Sequence, residues 1–318
     1  MTGSFPSGSK LGARDMIVET LRTRLLRGVQ AGTLRAGDRL PSARNLATEF
    51  DVDHRTIIDA YRELVGEQLV EMRPRGGVYV TARPSGAGGI PALPEKWITN
   101  VLVEGLTREI PGPELYEWLR RSLETLRLRA VVIASTDDQV AGLCRELRDD
   151  YGFEVDGLSA AAAQAAPTAS LSLRHADLIV TTAAHRTWVE ELGSQLGKPV
   201  TVIDVRPDLV AGEWGLFLRR PVYVVVASED FGEVVRRFFE AVPKAENLRI
   251  LVVGRDDLTT VPENAPTYIT QRARENIGNI VLRGRIMPAA RTISSESARE
   301  LFAFIVQSNL AAVARTGL

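Results

Sequence analysis

The 318-residue sequence predicts a multidomain chain, a small helical domain closed by a β-hairpin and then a larger α/β domain on parallel sheet. Three observations carry this. Residues 84–94, "PSGAGGIPALP", are dense in Pro, Gly and Ala with no apolar period, which marks a linker. Before it, over residues 10–83, stand three helical patterns and one hairpin pattern. After it, over residues 95–318, apolar runs alternate with amphipathic helical stretches, as expected of strands buried on both faces of a parallel sheet.

Composition is that of a soluble chain, 45% hydrophobic and 25% charged, and its length suits two domains. No run of about eighteen apolar residues occurs, and "MTGSFPSGSKLGARD" lacks the apolar core of an export signal, so the cytoplasm is the expected location and no membrane partner is expected. The net charge of −1 divides unevenly: residues 10–83 hold 13 Lys and Arg against 10 Asp and Glu, and the rest hold 26 against 30. A basic front and an acidic back suit a nucleic-acid contact at one end. The lone Cys144 has no disulfide partner and no metal-ligand companions, and it reads as a small core thiol. Neither a metal nor a cofactor is expected.

In the front domain, Ile17, Leu21, Leu25 and Val29 fall four apart on a first helix, with Gly32 past its end. "LPSARNLATEF" places Ser42 as an N-cap before Leu46 and Phe50, and "DHRTIIDAYREL" places Asp53 as an N-cap before Ile57, Ala60, Tyr61 and Leu64. Two short helices across a short turn make a helix-turn-helix. "QLVEMRPRGGVYVTA" then alternates through Val70 and Met72 into an Arg-Pro-Arg-Gly-Gly turn and out through Val78 and Val80, a wing tipped with arginines.

Residues 15–83 thus resemble the winged helix-turn-helix of the GntR family of bacterial transcription regulators, in the words "AGTLRAGDRLPSARNLATEF", "DVDHRTIIDAYREL" and "RPRGGVYV". The resemblance implies a double-stranded DNA operator, with Arg44 on backbone and bases, His54, Arg55 and Thr56 in the major groove, and Gly76 with Arg73 and Arg75 along the minor groove. Recognition helices present their first residues to base edges, and arginine can grip guanine with two hydrogen bonds, so the chemistry agrees. The sequence departs from the family in carrying Asp53 where Ser or Thr is common and Ile58 where arginine is common, leaving Ile58 open between base contact and packing. Asp59, one turn after Arg55, is placed to pair with it.

Members of that family differ in the domain behind the winged helix. Here "AVVIAS", "LIVTT", "VTVIDV", "VYVVVAS" and "RILVVG" alternate with helices, which excludes an all-helical rear domain. The length, together with Lys198 and Lys244 lying before strands, excludes an aminotransferase-like one. What remains is a Rossmann-like, two-lobed domain, and "DLIVTTAAHRTWVEELGSQLGKPVTVIDV" resembles a periplasmic-binding-protein or LacI-type sensor lobe. A response-regulator receiver is a competing resemblance, but Thr181 and Thr182 stand where its aspartate would be.

Ligands of open parallel sheets bind beyond the carboxyl ends of the strands. Those loops hold Ser135, Thr136 and Asp137; Thr181, Thr182 and His185; Asp204 and Arg206; Ser228 and Glu229; and Arg255 with Asp256. The effector residues expected among them are Ser135, Thr136, Thr181, Thr182, His185, Arg206, Ser228 and Arg255, for a sugar, a sugar phosphate or a carboxylate. Any single hydroxyl there is more often a helix cap than a ligand contact. Residues 95–129 carry helical apolar spacing suited to pairing subunits, and a two-fold dimer matches a palindromic operator. The expected function is a ligand-responsive transcription regulator, acting as a repressor. A DNA-bound scaffold that recruits proteins is the alternative, and an enzyme is the remote one, since no catalytic triad, P-loop or glycine fingerprint is present.

Overall fold

The computed structural model describes residues 13–30, 34–67, 69–74, 76–81, 95–165, 170–205, 214, 218–287 and 291–316. The linker at 84–94, Arg75 and Arg206 lie outside them. The chain falls into two compact units: Met1–Thr99 with Ala211–Arg220, and Asn100–Val210 with Pro221–Leu318.

In the first unit, α1 (Ala13–Gln30), α2 (Ala43–Phe50) and α3 (His54–Gly66) surround an apolar centre of Ile17, Leu21, Leu25, Leu46, Phe50, Ile57 and Leu64. Ser42 caps α2 by accepting from Asn45 N at 3.2 Å, and Asp53 caps α3 by accepting from Arg55 N at 2.7 Å, so both helices start at the expected caps. Between them Asp51 takes the left-handed conformation, φ 52°, which closes the turn in few residues. Tyr61 is core, and its hydroxyl donates to Pro41 O at 2.7 Å. The ion pair of Arg24 with Glu49 ties α1 to α2, with the Arg24 guanidinium over the Phe50 ring. β1 (Val70–Arg73) and β2 (Gly77–Val80) pair antiparallel as the wing, burying Val70, Val78 and Val80, while Met72, which alternates with Val70, is exposed. Trp214 and Leu218, far along the chain, are buried, and their segment belongs to this unit.

The second unit begins within α4 (Glu95–Thr107) and continues through α5 (Gly112–Glu124) into two parallel sheets. The first sheet has the order β4-β3-β5-β6, with β3 Arg129–Ala134, β4 Glu154–Ser159, β5 Leu178–Thr182 and β6 Val200–Ile203. α6 (Asp137–Tyr151), α7 (Ala160–Ala165), α8 (Leu171–His175) and α9 (Arg186–Leu196) connect its strands. The second sheet has the order β10-β9-β7-β8, with β7 Val222–Val226, β8 Leu248–Val252, β9 Pro266–Ile269 and β10 Arg285–Ile286, joined in part by α10 (Glu229–Phe239) and α11 (Gln271–Asn276). Counted from its own first strand, each sheet runs second, first, third, fourth.

Alternation explains why β3 is apolar from Ala130 to Ala134. Ala130 and Val132 face Leu143 and Leu147 of α6 with Leu301 and Ile305 of α12 (Ser295–Thr316), whereas Val131 and Ile133 face Ala163, Leu173, Val189 and Leu192. Gly157 of β4 permits the close approach of α6, because a Cβ there would lie 2.2 Å from Val140 Cγ1. After β6 and before α12, Val205 and Ile293 pair in an antiparallel bridge. Glu146, buried on α6, holds the second of them by accepting from the Thr292 and Ile293 amides and the Thr292 hydroxyl at 2.8–3.0 Å. Among the described residues no helix is long and apolar enough to cross a membrane.

Candidate functional site

The first turn of α3 presents His54 and Arg55 as exposed side chains and Thr56 as half-buried. Because Asp53 accepts from the Arg55 amide, its carboxylate is occupied as a cap. Asp59 does not pair with Arg55: it binds Arg62 Nη1 at 2.8 Å, three residues on, where the helix brings the longer side chain alongside. Ile58 is half-buried, and Arg44 is exposed on α2.

At the wing tip Gly76 N donates to Arg73 O at 3.0 Å. Arg73 lies back on its own hairpin, paired with Glu71 and over the Tyr79 ring at 4.2 Å, so its guanidinium is engaged. Arg39, which the sequence pattern did not single out, sits beside the wing: its backbone bridges to Tyr79, and its Nε is 3.1 Å from where a Gly77 Cβ would stand. With φ at +111°, Gly77 both adopts a backbone denied to other residues and leaves room for that guanidinium. Arg219 donates to Phe50 O at 3.1 Å and Asp51 O at 2.9 Å, the carbonyls that end α2 just before the turn into α3. No local pattern could have revealed it, since its partners lie 168 and 169 residues away.

In the second unit the expected effector residues separate into two groups. Ser135, Thr182 and His185 gather at the carboxyl ends of β3 and β5, the adjacent strands that lead to opposite sides of the sheet. His185 Nε2 is 2.8 Å from Ser135 Oγ, and Trp188 Nε1 donates to His185 Nδ1 at 3.3 Å. Indole nitrogen only donates, so Nδ1 must accept and the neutral ring carries its proton on Nε2. The imidazole therefore donates to Ser135, which leaves the serine hydroxyl proton free for a ligand and gives no base for activating the serine. Partial burial holds the His185 pKa below its ordinary value. Thr182 Oγ1 is buried and has no hydrogen-bond partner among the described residues. Thr181, by contrast, is buried and donates to Ile133 O at 2.9 Å, and Thr136 forms a capping box with Gln139 at the start of α6.

On the second sheet Ser228 caps α10 and binds Asp138, and Arg255 is tied to Glu229 at 2.6 Å and to Asp256. A surface cavity lined by Arg129, Glu154, Asp156 and His175 opens at the opposite, amino end of β3 and β4. Among the described residues no group of three His, Cys, Asp or Glu side chains could hold a metal. Burial pushes the Cys144 thiol up to about 11, the behaviour of a core thiol.

The family model described as bacterial regulatory proteins, gntR family, matches residues 13–80, from the start of α1 to the end of β2. The HTH-type transcriptional regulator Rv1152 of Mycobacterium tuberculosis is 34% identical over 92 residues, 29% of this chain and 76% of that protein. The HTH-type transcriptional repressor YtrA of Bacillus subtilis is 24% identical over 108 residues, 33% of this chain and 80% of that protein. Among solved structures, a GntR family transcriptional regulator from Listeria monocytogenes is 25% identical and covers 36% of this chain and 98% of that one, with a TM-score of 0.25. At that TM-score the likeness says nothing about the fold of the whole chain. The family model spans the three helices, both caps and the wing of the first unit, and the chain belongs to the gntR family of bacterial regulatory proteins.

Proposed function

We propose that the chain is a DNA-binding transcription regulator, acting as a repressor, whose second unit senses a small polar molecule. The observation that carries the DNA reading is the first turn of α3: an occupied Asp53 cap followed by exposed His54 and Arg55, on a helix buried along its other face. Amides of a helix start favour phosphate, and side chains there reach base edges. Arg44, Arg39 and the wing around Gly76 extend the same basic surface toward the DNA backbone, and Arg75 is a further proposed contact.

The sensor reading rests on Ser135, Thr182 and His185, which place at the edge where parallel sheets take ligands a serine hydroxyl proton not used by His185 and a buried hydroxyl with no partner among the described residues. That chemistry suits a polyhydroxyl ligand or a carboxylate of the sugar, sugar-phosphate and carboxylate classes, with Arg206 and Ser228 as further contacts. A homodimer is the state that reads a palindromic operator, and α4 and α5 offer an interface: Leu106, Tyr116 and Trp118 are 60%, 71% and 53% exposed.

Mobility-shift titration of the full chain against the DNA flanking its own gene tests the first part. Arg55→Ala is expected to weaken specific binding about tenfold, in line with 1–3 kcal/mol for a base contact, and Arg62→Ala to leave it unchanged. Equal binding by wild type and Arg55→Ala would sink the assignment of α3. A thermal-shift screen of sugars, sugar phosphates and carboxylates against wild type and Thr182→Val tests the second part, since a ligand held by the native state raises Tm.

A further inference from the structure

The carboxyl edge of the second sheet carries a set of donors that already holds an anionic group. β7 and β9 run side by side, with Val225 opposite Ile269, so the residues next along each strand emerge together. Ala227 N donates to Asp138 Oδ1 at 3.0 Å, Thr270 Oγ1 donates to the same oxygen at 2.5 Å, and Ser228 Oγ donates to Oδ2 at 3.1 Å. Asp138 comes from the other sheet, as the second residue of α6 after β3, and is 2% exposed.

The two hydroxyls are fixed as donors. Ser228 Oγ accepts from Phe231 N at 3.3 Å, and Thr270 Oγ1 accepts from Ala273 N at 3.1 Å, so each turns its own proton toward Asp138. One amide and two oriented hydroxyls, with no cation among them, bind an oxyanion by geometry. This is the position where an open parallel sheet takes its ligand, and here it is filled by a side chain of the same protein.

We propose that Ala227, Ser228 and Thr270 form a carboxylate-recognition site that Asp138 occupies from within, so that a carboxylate effector and Asp138 exclude one another. The inference rests on the sensor reading of the second unit and names its ligand chemistry and its means of control. Entry of the effector frees Asp138 from the second sheet, while α6 keeps its packing on α11 and the bridge between Val205 and Ile293 stays in place. Tethered to the same molecule, Asp138 acts at a high effective concentration, and an effector displaces it by adding contacts that a bare carboxylate lacks.

Acetate, matched against chloride at equal ionic strength, tests this on the full chain. In Asp138→Ala the vacated donors are expected to take acetate, raising Tm by about 4 °C at roughly tenfold excess over Kd, while wild type and Glu146→Gln do not respond. Equal acetate shifts in Asp138→Ala and wild type, or none in either, overturn the proposal. If Asp138→Ala does not fold, Asp138→Asn carries the test by amide hydrogen exchange: residues 227–231 exchange faster than in wild type and acetate slows them again, and exchange that acetate leaves unchanged overturns it. Acetate rescue without any change in operator affinity leaves the carboxylate site standing and overturns the sensor reading alone.

Discussion

The two sheets share one strand order but treat their carboxyl edges differently. At the first, Ser135 keeps a free proton and Thr182 Oγ1 has no partner among the described residues. At the second, Ser228 and Thr270 close on Asp138, and Arg255 on Glu229 and Asp256. One topology thus supports two carboxyl edges that differ in how far the described residues engage their polar groups.

That contrast can be broken by substitution. Thr270→Val removes a donor from a buried carboxylate and a cap from α11, and is expected to cost about 3 kcal/mol in chemical denaturation of the full chain. A cost near zero would mean that Thr270 does not hold Asp138. At the first sheet Thr181→Val should cost about 1 kcal/mol, because it removes the bond to Ile133 O, while Thr182→Val should stay within about 0.5 kcal/mol and abolish any ligand-induced rise in Tm. Were Thr182→Val the costlier of the two, its hydroxyl would have a partner in the fold.

The pH dependence sharpens the first edge. Burial lowers the His185 pKa, so below the unfolded value of about 6.5 the unfolded chain binds the extra proton first. The stability this residue contributes is fully present above pH 6.5 and is lost as pH falls through the folded pKa. His185→Gln, which stays neutral, should lose less Tm than wild type between pH 7.5 and 5.5. The smallest effect is expected from Ser135→Ala, within about 0.5 kcal/mol, since its side chain is exposed and its loss strands no buried group.

Much of this fold is legible in the sequence because its signals are local. The caps Ser42 and Asp53, the stripe Ile57, Ala60, Tyr61 and Leu64, and the apolar strands β3, β5 and β7 each declare themselves within a few residues. Three strands escape the sequence pattern. β4 lies at a sheet edge with polar residues among its six, β9 begins with Pro266, and β10 has two residues. Such segments are strands because of what pairs beside them, and periodicity is blind to that. The candidate site residues divide in the same way. Loop positions such as Ser135 and His185 can be placed from the strand ends, but Asp138 reads as one more acidic residue in a helix's first turn. Its partners stand 89, 90 and 132 residues away.

Arg219, with Trp214 and Leu218 in its segment, bears on how such a protein can be rebuilt. The part that would read DNA is not one stretch of chain: its unit includes Ala211–Arg220, from between β6 and β7, where Arg219 binds the last carbonyls of α2. A graft that exchanges the front of this protein at the 84–94 linker carries away the winged helix and leaves its clasp behind. Chimeras that move residues 211–220 together with the front half are expected to keep the Arg219 bonds to α2, and recombination confined to the linker to lose them.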